Sequence, residues 1–234
     1  MSKAQKPPPR LFVIFAKEAH EAVIFRRGPS EWFHVIRWDT QHDKFYPGAW
    51  IRGRIYPEKC DLSPNGELLL CFIHQIRKIG TSYSDAWSAV SRSPWLEAIG
   101  LWPQGTTYGG GGRFIDNRTL MLRHYPIEAH PKHPGKGLKV DFPEQHIPIP
   151  LHSSTEEVED AEWSGRDQNG RLVYTLDGKL MAAEKKSSKF MCLMDFNNMQ
   201  PDPQPAPEWA TRRLALEKRK PKVSKTRRTN RSKR

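Results

Sequence analysis

Residues 61–72 read Asp61-Leu-Ser-Pro-Asn-Gly-Glu-Leu-Leu-Leu-Cys-Phe72, and residues 167–175 read Asp167-Gln-Asn-Gly-Arg-Leu-Val-Tyr-Thr175. Each stretch places an Asn-Gly pair before a short apolar run. Asn and Gly accept the positive φ of a tight turn, and the run after each pair has the length and composition of a strand. A further Asp-Gly turn follows at residues 177–178. The sequence therefore predicts antiparallel hairpins at these turns, with Leu68 or Leu69 and Leu172 or Tyr174 buried.

The first stretch resembles the repeat of TolB-type, WD-repeat-like β-propellers, in which an Asp-x-Ser-Pro-Asp/Asn-Gly turn joins strands of a blade. The second stretch keeps Asn169 and Gly170 but lacks the Ser-Pro pair. This resemblance covers about thirty residues and implies a fold without an activity, since propellers host enzymes, scaffolds and ligand binders. More loosely, the whole chain resembles bacterial proteins of unknown function. The alternative is that any antiparallel β protein needs such turns.

The composition is that of a folded protein. The chain has 234 residues, of which 37% are hydrophobic and 10% aromatic, enough for one domain or two small ones. The longest early apolar run is Leu11–Ala16, far short of the ~18 residues of a membrane span. Three widely spaced cysteines argue against a disulfide framework. We expect a soluble, cytoplasmic protein with no membrane contact.

The pattern of strands and turns predicts an all-β body over residues 11–200 with about a dozen strands. Blades of about 40 to 45 residues would divide this span into four or five propeller blades, and a β-sandwich is the alternative. Residues 1–10 are predicted to be a flexible leader, and the Pro-rich residues 126–152 a surface loop. Residues 201–206 are a predicted linker, followed over residues 207–234 by a short helix, expected as far as Lys220, and a disordered tail.

Nearly all of the net charge of +12 lies at the C-terminus. Residues 211–234 hold twelve basic residues against one acid, whereas residues 1–210 hold 26 basic and 25 acidic residues. Such a segment binds phosphates by releasing counterions. We predict that it contacts nucleic acid or an acidic protein partner; the alternatives are a solubilising role or contact with the acidic run 156–162. The predicted contact residues are Arg212, Arg213, Lys218, Arg219, Lys220, Lys222, Lys225, Arg227, Arg228, Arg231, Lys233 and Arg234.

A second predicted surface combines aromatic and cationic side chains. Residues 49–56 read as one strand, on which Trp50, Arg52, Arg54 and Tyr56 share a face. Such alternation suits a nucleic acid or an acidic peptide if the face is exposed.

Candidate catalytic groups do not form a recognisable signature. The polar residues near predicted strand ends are Asp39, Asp43, Asp61, His74, Asp85 and Glu97. Histidines 124, 130, 133, 146 and 152 match no zinc motif, and the glycines of residues 109–112 precede a predicted strand rather than a phosphate-binding helix. We therefore predict a binding module without catalysis, metal or cofactor. The alternative is a hydrolase-like enzyme with a site in loops 39–43, 83–85 and 109–112.

Overall fold

The computed structural model describes residues 7–76, 80–143, 152–154, 158–183 and 189–215. Within them the fold is all-β, as predicted, with sixteen strands in four separate sheets, one turn of 3-10 helix at Pro57–Lys59 and one short α-helix. No sheet closes on itself in this part of the chain. None of the described helices has the length and apolar character needed to cross a membrane.

Sheet I is an antiparallel meander of the first four strands, in chain order. The two central strands of this sheet, β2 and β3, are buried on both faces, because other sheets pack on both sides of them. The strands are β1 (Arg10–Phe15), β2 (Glu21–Arg27), β3 (Trp32–Asp39) and β4 (Lys44–Arg52).

Sheet II surrounds the apolar run that follows the first Asn-Gly turn. Its strands are β5 (Arg54–Ile55), β6 (Asp61–Leu62), β7 (Leu68–His74), β8 (Ala86–Arg92) and β9 (Ala98–Pro103). Both β5 and β6 pair with β7, which is buried on both faces over six residues. This central strand therefore needs the continuous apolar run that the sequence supplies.

Sheets III and IV complete the body. Sheet III contains β10 (Gly112–Phe114), β11 (Thr119–Leu122) and β12 (Lys139–Asp141), the last being parallel to β11 and lying inside the predicted loop 126–152. Sheet IV is the meander β13 (Trp163–Arg166), β14 (Leu172–Leu176), β15 (Lys179–Ala183) and β16 (Phe190–Asp195). Helix α1 (Glu208–Thr211) follows.

Three hydrophobic cores fix the order of the sheets. One joins sheets I and II through Val23, Phe25 and Leu69. A second joins the opposite face of sheet I to sheet IV, with Trp38 fully buried. A third joins the other face of sheet II to sheet III. The sheets therefore stack in the order IV, I, II, III, and the last sheet in the sequence packs on the first.

The predicted turns are confirmed. Both Asn-Gly pairs occupy hairpin loops with the same hydrogen bond: the Gly66 N–H donates to Ser63 O and the Gly170 N–H donates to Asp167 O, at 2.8 and 2.9 Å. The Asp177-Gly178 pair is a two-residue turn in which both residues have positive φ.

One strand prediction was wrong: residues 49–56 form two strands rather than one. Gly53, at φ +152°, interrupts the strand, and its N–H donates to Glu31 O. A Cβ at this position would lie 2.7 Å from the Gln75 side chain, so the chain crosses from sheet I to sheet II at a glycine.

Two further predictions need correction. Leu68 and Leu69 are buried as expected, but on β14 the fully buried residues are Val173 and Thr175, whereas Leu172 and Tyr174 are half-buried. On β14, the residues that point to each face of the sheet include apolar ones, so the sequence pattern does not show which face is buried. The C-terminal helix ends at Thr211 instead of continuing to Lys220, because the extended backbone at Arg212 leads Leu214 back onto the body.

Candidate functional site

The basic C-terminal segment is attached to the body at a defined point. Leu214 is buried in the core between sheets II and III, and it packs so closely on Gly137 that a Cβ there would lie 2.9 Å from the Leu214 Cβ. Arg212 pairs with Glu208 at 2.8 Å, and Arg213 is exposed. The segment therefore starts on the surface of the body.

Ten of the twelve predicted polyanion contacts lie outside the described residues. They are Lys218, Arg219, Lys220, Lys222, Lys225, Arg227, Arg228, Arg231, Lys233 and Arg234. Glu156, in the acidic run proposed as their alternative partner, also lies outside the described residues.

The predicted aromatic and cationic surface divides into two parts at Gly53. In the first part, Trp50 stacks on the buried His34 ring, with centroids 4.2 Å apart and planes at 9°. Arg52 pairs with Glu31 at 3.0 Å, and both side chains are more than half exposed. Trp50 is half-buried, so its indole is partly used by the core of the protein.

The second part lies on the edge of sheet II. The Arg54 guanidinium lies 4.7 Å from the centre of the Tyr56 ring, and the Lys59 ammonium lies 5.1 Å from the same centre. Lys59 also donates to Thr107 O and Gly109 O, at 2.9 and 2.7 Å, and burial lowers its pKa, with the positive charge of Arg123 acting in the same direction. This cation therefore holds the glycine-rich loop to the body.

The glycine-rich loop is a place of close backbone approach. A Cβ on Gly110 would lie 2.2 Å from the Phe72 ring, and one on Gly111 would lie 1.9 Å from Lys59 O. The predicted strand β10 follows directly. The glycines thus allow the chain to pass over sheet II.

Most of the candidate catalytic carboxylates have structural partners. The Asp39 carboxylate accepts the N–H groups of Gln41 and His42 within its own turn. Asp61 is buried; it accepts the Phe114 N–H at 2.7 Å and lies 2.9 Å from His152 Nε2. These groups therefore tie turns and neighbouring sheets together.

The other candidate groups lie in three different places. Asp43 accepts a bidentate pair of hydrogen bonds from Arg171, both at 2.8 Å, and these bonds raise the pKa of Arg171. His74 Nε2 lies 3.6 Å from Asp85 Oδ2. Glu97 is exposed, at the mouth of a cavity. The structure does not bring the six candidates into one site.

Of the five histidines, His124 packs against the Phe142 ring, and three others lie in two separate places. The His130 ring stacks on Tyr83, with centroids 4.1 Å apart, and His133 Nε2 lies 3.3 Å from the Tyr83 hydroxyl. His152 lies with Asp61 instead, and His146 lies outside the described residues. In the part of the chain that the structure describes, no three His, Cys, Asp or Glu side chains are placed to hold a metal ion.

A cavity of about 350 Å³ lies between sheets I and II, and no motif in the sequence indicated it. Its walls come from residues between 51 and 133, so it exists only once the two sheets have packed. Of the residues considered for an enzyme site, only Glu97 and Tyr83 line this cavity. Comparisons with protein-family models, with curated proteins and with solved structures found no match.

Proposed function

We propose that the protein is a non-catalytic binding module whose basic C-terminal segment contacts nucleic acid. The observation that carries this proposal is the separation of charge: residues 211–234 hold a net charge of +11, and the rest of the chain is nearly neutral. A dense run of Lys and Arg with one acid neutralises phosphates and releases counterions, without reading the base sequence.

Three arginines of the body are engaged in holding the fold, which supports assigning the binding to the segment. Arg26 is buried and donates to the carbonyls of Gly28, Phe196 and Met199. Arg171 binds two aspartates and Arg37 binds Glu21. These guanidinium groups are committed to partners within the body and are poor candidates for phosphate contacts.

We further propose that the four sheets are the blades of a small propeller. Sheets I and II are each covered on both faces, which a two-layer sandwich does not provide. In sheet I, β1 contacts β6 of sheet II and β13 of sheet IV, and β6 contacts β10 of sheet III. Inner strands that meet around an axis are the expected arrangement for blades, and the number of sheets lies within the four or five expected.

The enzyme alternative receives less support. Asp43 and Asp61, two of its candidate groups, are bound to Arg171 and to the Phe114 N–H. A general base must reach a substrate proton, and carboxylates engaged in this way serve the fold instead.

The test is binding to a short fluorescent DNA duplex, measured by anisotropy. We compare the full chain with a variant in which the ten basic residues after Ala215 are replaced by Gln. The variant should bind at least about 100-fold more weakly at low salt, because its phosphate contacts are lost. Its melting temperature should not change, since Leu214 and the other described contacts are retained.

The matched control carries Arg52→Gln and Arg54→Gln with the C-terminal segment intact, and it should bind DNA almost as well as the parent. Equal affinity of the parent and the ten-residue variant would overturn the proposal. Direct binding of a fluorescent polyglutamate, with no measurable DNA binding, would point to an acidic protein partner instead.

A further inference from the structure

The cavity between sheets I and II is a second site, independent of the C-terminal segment. We infer that it binds a small amphipathic amine: an apolar body held between the sheets, with an ammonium group at the mouth. Its volume of about 350 Å³ lies within the range of small-molecule sites, roughly 300–1,000 Å³.

The walls are apolar because of the alternation of side chains on two central strands. Cys71 and Ile73 on β7, with Trp87 and Ala89 on β8, point towards sheet I and line the cavity. Ile51 on β4 faces them from sheet I. These side chains belong to the core between the sheets, so the walls are held in place before any ligand arrives.

One polar group in the wall points to a ligand. Ser91 is 2% exposed and lines the cavity, and its hydroxyl has no hydrogen-bond partner among the described residues. A buried hydroxyl without a partner costs free energy, whereas a ligand with a polar group would satisfy it. This is the feature of the cavity that a purely structural gap does not explain.

A rigid rim surrounds the mouth. His133 Nδ1 lies 2.8 Å from Ala98 O, and since a carbonyl oxygen can only accept, Nδ1 carries the proton. In the neutral ring, His133 Nε2 then accepts from the Tyr83 hydroxyl at 3.3 Å. On the other side, the Ala49 N–H donates to Pro94 O at 3.1 Å and ties the β8–β9 loop to sheet I.

Glu97 decides the charge of the ligand. It lies in the loop held by the Pro94 contact, it is exposed, and it lines the mouth of the cavity. Among the described residues it forms no ion pair, so its carboxylate is available. The Trp87 ring in the cavity wall also favours a cation, and the Glu97 carboxylate would repel a carboxylate ligand.

The experiment uses the full chain and three probes of equal length: hexylamine, hexan-1-ol and hexanoate. Affinities are measured by ligand-observed NMR titration. Hexylamine should bind best, hexan-1-ol second and hexanoate worst. Glu97→Gln should weaken hexylamine about two- to fivefold, as expected for a solvent-exposed charge pair, and leave hexan-1-ol unchanged. Glu67→Gln, an exposed glutamate outside the cavity lining, is the matched control and should change neither probe.

Two blocking variants test the location. Ala89→Leu fills the interior of the cavity, and Ile51→Trp closes it from a half-buried position; each should weaken hexylamine at least about tenfold. A circular dichroism melt checks that each variant folds, and DNA binding should be unaffected in both. The inference is overturned if no probe binds, if hexanoate binds as well as hexylamine, or if both folded blocking variants bind normally.

Discussion

The body of the protein and its C-terminal segment use basic side chains differently. In the body, where 26 basic residues meet 25 acidic ones, Arg26, Arg37 and Arg171 bind carbonyls and carboxylates within the fold. In residues 211–234, twelve basic residues meet one acid. If the segment binds polyanions as proposed, stability and polyanion binding should be separable in this chain. Substitutions in the body should change the free energy of unfolding and leave DNA affinity intact, and substitutions in the segment should do the reverse.

The largest expected effect on stability is that of Arg171→Met. The Arg171 side chain is 10% exposed and binds Asp43 and the fully buried side chain of Asp167, so its removal leaves a buried carboxylate without its cation. The variant should lose about 3 to 5 kcal/mol of unfolding free energy, measured by urea denaturation. Arg52→Met, which breaks an exposed pair, is the control and should cost less than about 1 kcal/mol. An equal loss of unfolding free energy in the two variants would show that the ion pairs of Arg171 do not stabilise the fold.

A pH dependence of stability should arise from His34. Burial, together with the positive charge of Arg26, lowers the pKa of His34 from 6.5 to about 4. The unfolded chain therefore takes up a proton at higher pH than the folded chain. The stability is fully present above about pH 6.5 and is lost as the pH falls towards 4, up to about 3 kcal/mol.

The control for this prediction is His34→Phe, which keeps an aromatic ring against Trp50. Urea denaturation between pH 4 and pH 7 should show a shallower pH dependence for the variant than for the parent. Identical curves would show that His34 does not titrate in this way.

The two Asn-Gly hairpins sharpen the comparison within the body. Gly66 has φ +77°, and a Cβ there would lie 2.7 Å from the Glu21 Cβ in sheet I, whereas the Gly170 position, at φ +72°, is open. Gly170→Ala should cost about 1 kcal/mol, from backbone strain alone. Gly66→Ala should cost about 2 kcal/mol or more, since strain and contact add. Thermal melts compare the stability that the two variants lose. An equal loss of stability would contradict the close packing around Gly66.

The smallest expected effect is that of Arg52→Gln combined with Arg54→Gln on DNA binding. Arg52 is paired with Glu31, and Arg54 stacks on Tyr56. The double variant should change DNA affinity less than about threefold and leave the salt slope within about one unit. A slope reduced by about two would show that these side chains contact phosphates, and would extend the binding surface onto the body.

Local features of the fold were predictable, and features that depend on packing were not. Each of the three turns, at Asn65, Asn169 and Asp177, has its glycine at positive φ, and Asp177 also has positive φ, so the turns were identified from residue type alone. The burial of Val173 rather than Tyr174 depends on which face of sheet IV meets sheet I. A one-residue change of register exchanges the two faces, so a strand apolar on both sides carries no decisive signal.

The same reason explains what was missed at the sites. The end of helix α1 at Thr211 depends on Leu214 packing between sheets II and III, a contact between residues far apart in sequence. The cavity likewise needs Ile51 on sheet I to face Ser91 on sheet II. The charge of the C-terminal segment, by contrast, is read directly from the sequence.

The central claim is that the basic C-terminal segment supplies the DNA affinity. The most direct test is the salt dependence of the DNA dissociation constant of the full chain, compared with a chain that ends at Ala215 and so keeps the Leu214 contact. If about half of the twelve basic residues meet phosphates, the logarithm of the binding constant should fall with the logarithm of salt concentration with a slope of about −5 on duplex DNA. The shortened chain should show a slope near zero and little binding. A steep slope retained by the shortened chain would contradict the account.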